Sequence, residues 1–209
     1  MLNFYRDIWF EPMNVMGEVL EMYYNMIMMY LIFIFFLLFF LFYFLISFWT
    51  SKVIISHIME FMFFLFPIFL LTLFLIFSMK ALYMSEKLFG EIFSFKLTGN
   101  QWYWTIEFKE KLLNSYFTSS SDNKYYMRNI DTSNHIFIPI NVPSLMLITS
   151  QDVIHSVGFP DGGLKVDAIP GRLNTLEMFS YNVGLLNGYC TELCGPLHAY
   201  MPFQIEFLM

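Results

Sequence analysis

The distribution of apolar and polar positions divides the chain into two unlike parts. Between Glu21 and Lys52 there is no Asp, Glu, Lys or Arg, and Met26 to Trp49 is a nearly continuous run of Ile, Leu, Phe, Met and Tyr. At about 1.5 Å per residue, those roughly 24 residues extend about 36 Å, enough to cross a hydrocarbon core of about 30 Å with tilt. A second uncharged run covers Phe61 to Met79; Pro67 within it is compatible with a membrane helix, where neighbouring groups satisfy the freed backbone. The polar stretch between the runs holds Thr50, Ser51, Lys52, Ser56, His57 and Glu60, so the pattern predicts an antiparallel helical hairpin with both chain ends on one side. Buried helices of soluble cores rarely run past about 20 uncharged residues. A removable signal peptide is a poor account of a run with no basic segment before it and no small-residue cleavage site after it. Lys52 competes with Lys80 and Lys87, so charge does not orient the hairpin.

From about Phe95 the pattern changes. Of the 28 charged residues, 17 lie in the last 115 positions, among turn formers such as Asp161, Gly162, Gly163, Pro170, Gly171, Asn187 and Gly188. The apolar stretches are now short: Gln101 to Phe108, His135 to Val142, Leu145 to Ser150, Leu164 to Ile169, Thr175 to Phe179 and Phe203 to Leu208. Short strands separated by turn signals predict a water-exposed β-sandwich or barrel. Glu110 to Asn134, rich in Ser, Asn, Lys and Tyr, reads as a surface insertion or long loop. The expected organisation is an N-terminal segment at 1–21, a transmembrane hairpin at 22–80 and an all-β domain at 95–209. No internal repeat and no glycine-rich phosphate loop is present.

Composition narrows the class. The chain is 57% hydrophobic, 21% aromatic and 13% charged, against about 25% charged in soluble domains. It is too apolar for a disordered chain, and a net charge of −6 makes it too acidic for a nucleic-acid binder. The Phe, Met, Ile, Tyr and Asn bias fits an AT-rich genome such as an organelle's. Two cysteines are too few for a secreted disulfide scaffold, but Cys190 and Cys194 are close enough to act as one unit.

The segment from Cys190 to Met201 contains the candidate chemistry: Cys190, Cys194, His198 and Met201 are all metal-ligand types, and Gly195 with Pro196 argues for a folded-back loop. His155 is placed to supply a second imidazole from a neighbouring loop. Thiolate, imidazole and thioether together favour copper, whereas a zinc site would use two Cys and two His and leave Met201 idle. The alternatives are a Cys190–Cys194 disulfide and Met201 as core filling in a Met-rich chain. In Gly99 to Trp104, strand alternation would put Trp102 and Trp104 on one face and Tyr103 on the other, with packing the reading for Trp104 and the role of Trp102 open. Glu60, near a helix end in lipid, either snorkels to the interface or serves a proton or ion path; position alone favours snorkelling.

These residues resemble subunit II of the haem–copper cytochrome c oxidases, the mitochondrial and bacterial terminal oxidases. The likeness covers nearly the whole chain from about Glu60. Cys190, Glu192, Cys194, Gly195, His198, Met201 and Pro202 fill the family's Cys-x-Glu-x-Cys-Gly-x-x-His-x-x-Met-Pro pattern, and Asp152 with His155 fills its Asp-Val-x-His-Ser stretch. Leu164 to Arg172 and Gln101 to Trp104 match two further blocks, and Leu82-Tyr83-Met84 fits the exit of the second helix. Asn100 stands where the family usually has His, Val157 where it often has Trp, and Asp161 with Gly162 where it commonly has Ser and Leu. The first 21 residues carry no usable motif.

The resemblance implies a membrane helical hairpin followed by a cupredoxin-like barrel on the outer face of the mitochondrial inner membrane, facing the intermembrane space. It implies a binuclear copper centre, CuA, bridged by Cys190 and Cys194, with His155 and His198 each on one ion and Met201 and the Glu192 carbonyl as weak outer ligands. It also implies a magnesium ion reached by the Glu192 side chain at the border with subunit I, near Asp167. Trp102 would accept electrons from cytochrome c, docked through Asp152 and Glu107, and pass them through CuA to the haem of subunit I for oxygen reduction coupled to proton translocation. Glu60 would lie at the mouth of a proton channel, which reverses the snorkelling preference. Only three of the six net negative charges lie after about Phe95, so charge supports docking weakly. A membrane-tethered copper carrier would not need Trp102, Glu192 or Glu60, and a purely structural relative, like the quinol-oxidase homologues, would have lost the ligands.

Overall fold

The computed structural model describes residues 14–47, 57–85, 90, 93–118 and 129–209. Residues 1–13, the loop positions Thr50, Ser51, Lys52 and Ser56, Lys87, and residues 119–128 of the expected insertion lie outside the described residues.

The chain forms two units, residues 19–87 on the one hand and residues 1–18 with 88–209 on the other. Both apolar runs are helices: α1 spans Val15–Ser47 and α2 spans His57–Ser85, with Pro67 inside it. Each is longer than its uncharged run, because a helix satisfies its backbone internally and continues through flanking polar residues until something stops it. Glu18 and Glu60 occupy the first turns, where the positive end of the helix dipole favours a carboxylate. Tyr23 and Tyr30 of α1 both pack on Phe74 of α2, ring centroids 5.7 and 6.5 Å apart. Large apolar side chains are exposed along both helices, and both are long and apolar enough to cross a membrane. Leu82, Tyr83 and Met84 fall in the last turn of α2, as the helix-exit motif requires.

Among the described residues, ten strands build the second unit: β1 Phe93–Asn100, β2 Tyr103–Phe108, β3 Lys111–Ser115, β4 Ile136–Pro139, β5 Ser144–Ser150, β6 His155–Phe159, β7 Leu164–Ala168, β8 Asn174–Met178, β9 Gly184–Cys190 and β10 Pro202–Leu208. They form two five-stranded sheets, β3-β2-β1-β5-β8 and β4-β10-β9-β6-β7, in which β1/β5 and β4/β10 pair in parallel and the other neighbours are antiparallel. Between the sheets lies an apolar core that includes Leu97, Trp104, Ile148, Phe159, Phe203 and Phe207. Asn14 and Val15 belong to this unit: the buried Asn14 accepts the Phe179 N–H through Oδ1 at 3.0 Å, and the Val15 N–H donates to the Phe179 carbonyl at 3.3 Å.

The expected strands are all present within a few residues, and four more accompany them: β1, β3, β6 and β9. The region from Glu110 to Asn134 is not wholly loop, since β3 extends the first sheet through β2 and Phe117 bridges to Thr132. Asn187 and Gly188, read as a turn, lie inside β9. A Cβ at Gly188 would come within 2.5 Å of the Phe159 ring, so glycine is there for close approach rather than for a bend. The other expected turns hold: Gly163 and Gly171 have φ of 62° and 75°.

Candidate metal centre

Three connections meet at one end of the sandwich: the β1–β2 turn, the β5–β6 loop and the long β9–β10 loop. His155 is the first residue of β6 and Cys190 the last of β9, and these strands are tied by the pairs Val157 with Cys190 and Gly158 with Tyr189. Beyond β9 the chain folds back as the sequence predicts. The Thr191 N–H donates to the Ser156 carbonyl (2.8 Å), the Cys190 N–H to the Met201 carbonyl (3.2 Å) and the His198 N–H to the Gly195 carbonyl (3.2 Å), and the Tyr200 N–H to Leu197 carbonyl bond (2.9 Å) closes a one-turn 3-10 helix over His198–Tyr200.

This folding brings the predicted ligands together. Cys190 Sγ lies 3.8 Å from Cys194 Sγ, and both are unbonded, buried thiols, so the disulfide alternative is not realised. His155 Nδ1 is 3.9 Å from Cys190 Sγ, and His198 Nδ1 is 3.6 Å from Cys194 Sγ. Met201 Sδ is 3.5 Å from Cys194 Sγ, and the Glu192 carbonyl oxygen is 3.4 Å from Cys190 Sγ. Two sulfurs less than twice a metal–thiolate bond of about 2.3 Å apart can bind one ion jointly. An imidazole stands at each end of the pair, and the soft thioether together with a carbonyl oxygen completes a donor set suited to copper.

The surroundings hold this set in place. Behind His155, Nε2 meets Asp152 Oδ1 at 2.8 Å, which leaves Nδ1 directed at the sulfurs. Trp104, fully buried as packing requires, stands edge-on to the His155 ring (5.9 Å between centroids) and donates from Nε1 to the Met201 carbonyl at 3.2 Å. Burial works against ionisation of the Cys190 thiol, but hydrogen bonds from His155, the Ser156 and Glu192 backbone and His198 outweigh it and bring its pKa down to about 6. Burial together with the adjacent Cys190 charge pushes Cys194 up to about 12. Burial would lower the His155 pKa, yet Cys190 and Asp152 on its two nitrogens raise it above the usual range. For Asp152 burial is likewise outweighed, by hydrogen bonds from His155 and the Gln101 and Val153 N–H groups, and its carboxyl falls below the usual range.

The other predicted positions are distributed around this cluster or away from it. Trp102 is not on the strand with Trp104: it sits in the β1–β2 turn, half-buried, its indole close against Gly195 beside Cys194. The alternation expected for Trp102 and Trp104 therefore fails, because the turn separates them. Glu192 and Asp167 are exposed. Glu107 is ion-paired with Lys96 at 3.2 Å. Asp152, expected at a docking surface, spends its carboxylate on the network behind His155. Glu60 lies in the first turn of α2, 3.4 Å from His57, with both side chains exposed. Asn100 is buried and donates to the Thr98 carbonyl and Thr105 Oγ1, and Val157 is a core residue. The sequence reading missed Gln101 and the orienting role of Asp152. For Asp152 the three-residue spacing to His155 was an available signal; for Gln101 the signal was its place in the Gln101 to Trp104 block, which gave it no role of its own.

Comparison with known proteins agrees with this geometry. Residues 93–208 match the family described as cytochrome c oxidase subunit II, periplasmic domain. Cytochrome c oxidase subunit 2 of Apis florea is 34% identical over 201 residues, covering 94% of this chain and 89% of that protein. The same subunit of Apis koschevnikovi is 40% identical over 132 residues, 62% of this chain and 58% of that one. Among solved structures, the periplasmic domain of subunit II of the cytochrome oxidase of Bradyrhizobium japonicum superposes with a TM-score of 0.53 at 33% identity, over 58% of this chain and 88% of that chain. The mixed disulfide between a thioredoxin-like protein and subunit II of cytochrome c oxidase gives 0.50 at 31% identity, over 59% and 86%. The β unit thus has the expected cupredoxin-like fold, preceded by two long apolar helices.

Proposed function

We propose a function from one premise, that this chain belongs to the cytochrome c oxidase subunit II family: it receives single electrons from reduced cytochrome c and passes them to the haem of subunit I, where oxygen is reduced with proton translocation. Membership makes the chain a component of the enzyme cytochrome c oxidase, a membrane-associated oxidase assembled with other subunits. The observation that carries the finer reading is the pair of unbonded sulfurs 3.8 Å apart with an imidazole Nδ1 beside each.

His155, Cys190, Cys194, His198, Met201 and the Glu192 carbonyl are the residues that would hold two copper ions as CuA. Bound there, the copper pair supplies a one-electron redox site shared between two metals. The protein's part is to keep the ligands still: His155 is buried and clamped by Asp152, and Trp104 fixes both its ring and the Met201 carbonyl, so a unit change of charge meets ligands that hardly move. Trp102 is the proposed electron acceptor, supported by its half-buried indole packed on the peptide next to Cys194. The exposed Glu192 carboxylate, with Asp167 as a neighbouring oxygen donor, is proposed to reach a magnesium ion at the border with subunit I. Asp152 and Glu107 are the acids proposed to meet the basic cytochrome, and Glu60 the acid at a proton-channel mouth. The proposed setting is the mitochondrial inner membrane, with the β unit in the intermembrane space.

The test is electron paramagnetic resonance of the oxidised, copper-loaded full chain with metal analysis on the same sample. The expected result is two copper ions per chain and hyperfine splitting from two equivalent nuclei. Uptake of one zinc and no copper would overturn the reading.

A further inference from the structure

Gln101 lies in the exposed β1–β2 turn, yet both of its hydrogen-bonding arms point inward. Its backbone N–H donates to Asp152 Oδ2 at 2.6 Å, and its side-chain amide donates to the Cys194 carbonyl at 2.9 Å. The other Asp152 oxygen meets His155 Nε2 at 2.8 Å. The turn lies flat on the loop beneath it: a Cβ at Gly195 would stand 3.1 Å from the Trp102 ring and 3.4 Å from Gln101 Nε2, and Gly195 has a φ of 125°.

The two sides of the ligand set are anchored unequally. His155 and Cys190 sit at the ends of strands that pair with each other, so the ladder sets their separation. Cys194 lies beyond the end of β9, where no ladder partner positions it. A tie from outside the loop is what relates its peptide to the other ligands. We propose that Gln101 is a positioning residue of the metal centre, one residue clasping the loop that presents His155 to the loop that presents Cys194 while touching no ligand atom. The inference rests on the metal reading of this cluster and adds to it a residue that composition and spacing do not mark.

The experiment uses the full chain in detergent. Gln101→Met keeps the length of the side chain and removes the donor; Gln101→Lys retains a donor at the same place. Partners that bind a ligand directly typically cost about 10–100-fold in metal affinity when changed. Gln101 acts one bond further out, so copper loss from Gln101→Met to a chelator should be about fivefold faster than from the parent. Its two copper hyperfine couplings should become unequal, and Gln101→Lys should recover most of the change. The thermal midpoint of metal-free Gln101→Met should stay within about 2 °C of the parent, as for an exposed substitution that leaves the fold intact. Parental copper retention and an unaltered spectrum in Gln101→Met overturn the proposal. So does a metal-free midpoint that falls enough to account for the faster loss, since that is a general structural role. A parent chain that takes up no copper at all defeats the underlying metal reading instead, and is told apart by the parent measurement alone.

Discussion

One imidazole faces the sulfur pair from the start of β6 and the other from the β9–β10 loop, and they are held by different means. His155 is the first residue of a strand, fully buried, with Asp152 on one nitrogen, Cys190 Sγ facing the other and the edge of Trp104 against its ring. His198 belongs to a one-turn helix after Gly195-Pro196 and is half-buried, its Nδ1 3.6 Å from Cys194 Sγ. A ligand on a strand inherits its place from the ladder, whereas one on a turn depends on a few local hydrogen bonds. The site therefore has a stiff half and a soft half. The two thiols follow the same division, with the more acidic Cys190 on the strand and the less acidic Cys194 in the loop.

Removing the atom that joins the halves should have the largest effect. In Cys194→Ser a hydroxyl replaces a soft sulfur of the proposed two-copper site, so copper content should drop from the two ions per chain proposed for the parent to one or fewer. Oxidation of reduced cytochrome c by the assembled complex should fall by at least about 100-fold, the upper end of what substitutions of outer partners cost. An active variant with two coppers would mean that the halves do not share Cys194.

The imidazoles allow the contrast to be read directly. His155→Gly and His198→Gly should each lose one proposed copper ligand, but added imidazole should restore the two-copper spectrum only in His198→Gly, because that position is half-exposed and His155 lies in the interior. Equal rescue of both variants, scored by the same spectrum, would erase the distinction between a stiff and a soft half.

A smaller effect belongs to the metal-free chain. A thiol whose folded pKa lies below its unfolded value contributes stability above the ordinary thiol range, and that contribution is lost as pH falls through the folded value, here about 6 for Cys190. Cys194 runs the other way: its neutral form is favoured below the ordinary range, and the benefit is lost as pH rises toward about 12. One thiolate per chain is therefore expected near neutral pH, with midpoints near those two values when thiolate absorbance is followed. Two thiols titrating together in the ordinary range would show that the fold does not distinguish them.

How much of this was legible depended on the range of the interactions. The helices could be read because a long uncharged run is a local property, and a helix satisfies its own backbone whatever lies beside it. Strands bounded by turn formers could also be read. By contrast, β6 is short and buried throughout, and β9 contains an Asn-Gly pair that a local reading takes for a turn. Its Gly188 makes sense only once the Phe159 ring is known to pass over it. The ligand types were visible as a cluster within 12 residues, whereas Gln101 read as the first residue of a strand, and nothing local showed that its amide reaches the Cys194 carbonyl.

The amino-acid order alone determined that two apolar helices precede a β unit, and it marked two thiols, two imidazoles and a thioether as candidate ligands of one metal. Only the tertiary structure decided that the sulfurs stay unbonded at 3.8 Å, that Nδ1 of each histidine faces them, and that Asp152 and Gln101 hold the frame. The physical reason is separation along the chain. Donor identity is written residue by residue, but His155 meets Cys190 across 35 positions and Gln101 meets Cys194 across 93. Contacts of that kind exist only after the sheets have paired and brought the three connections to one end of the sandwich.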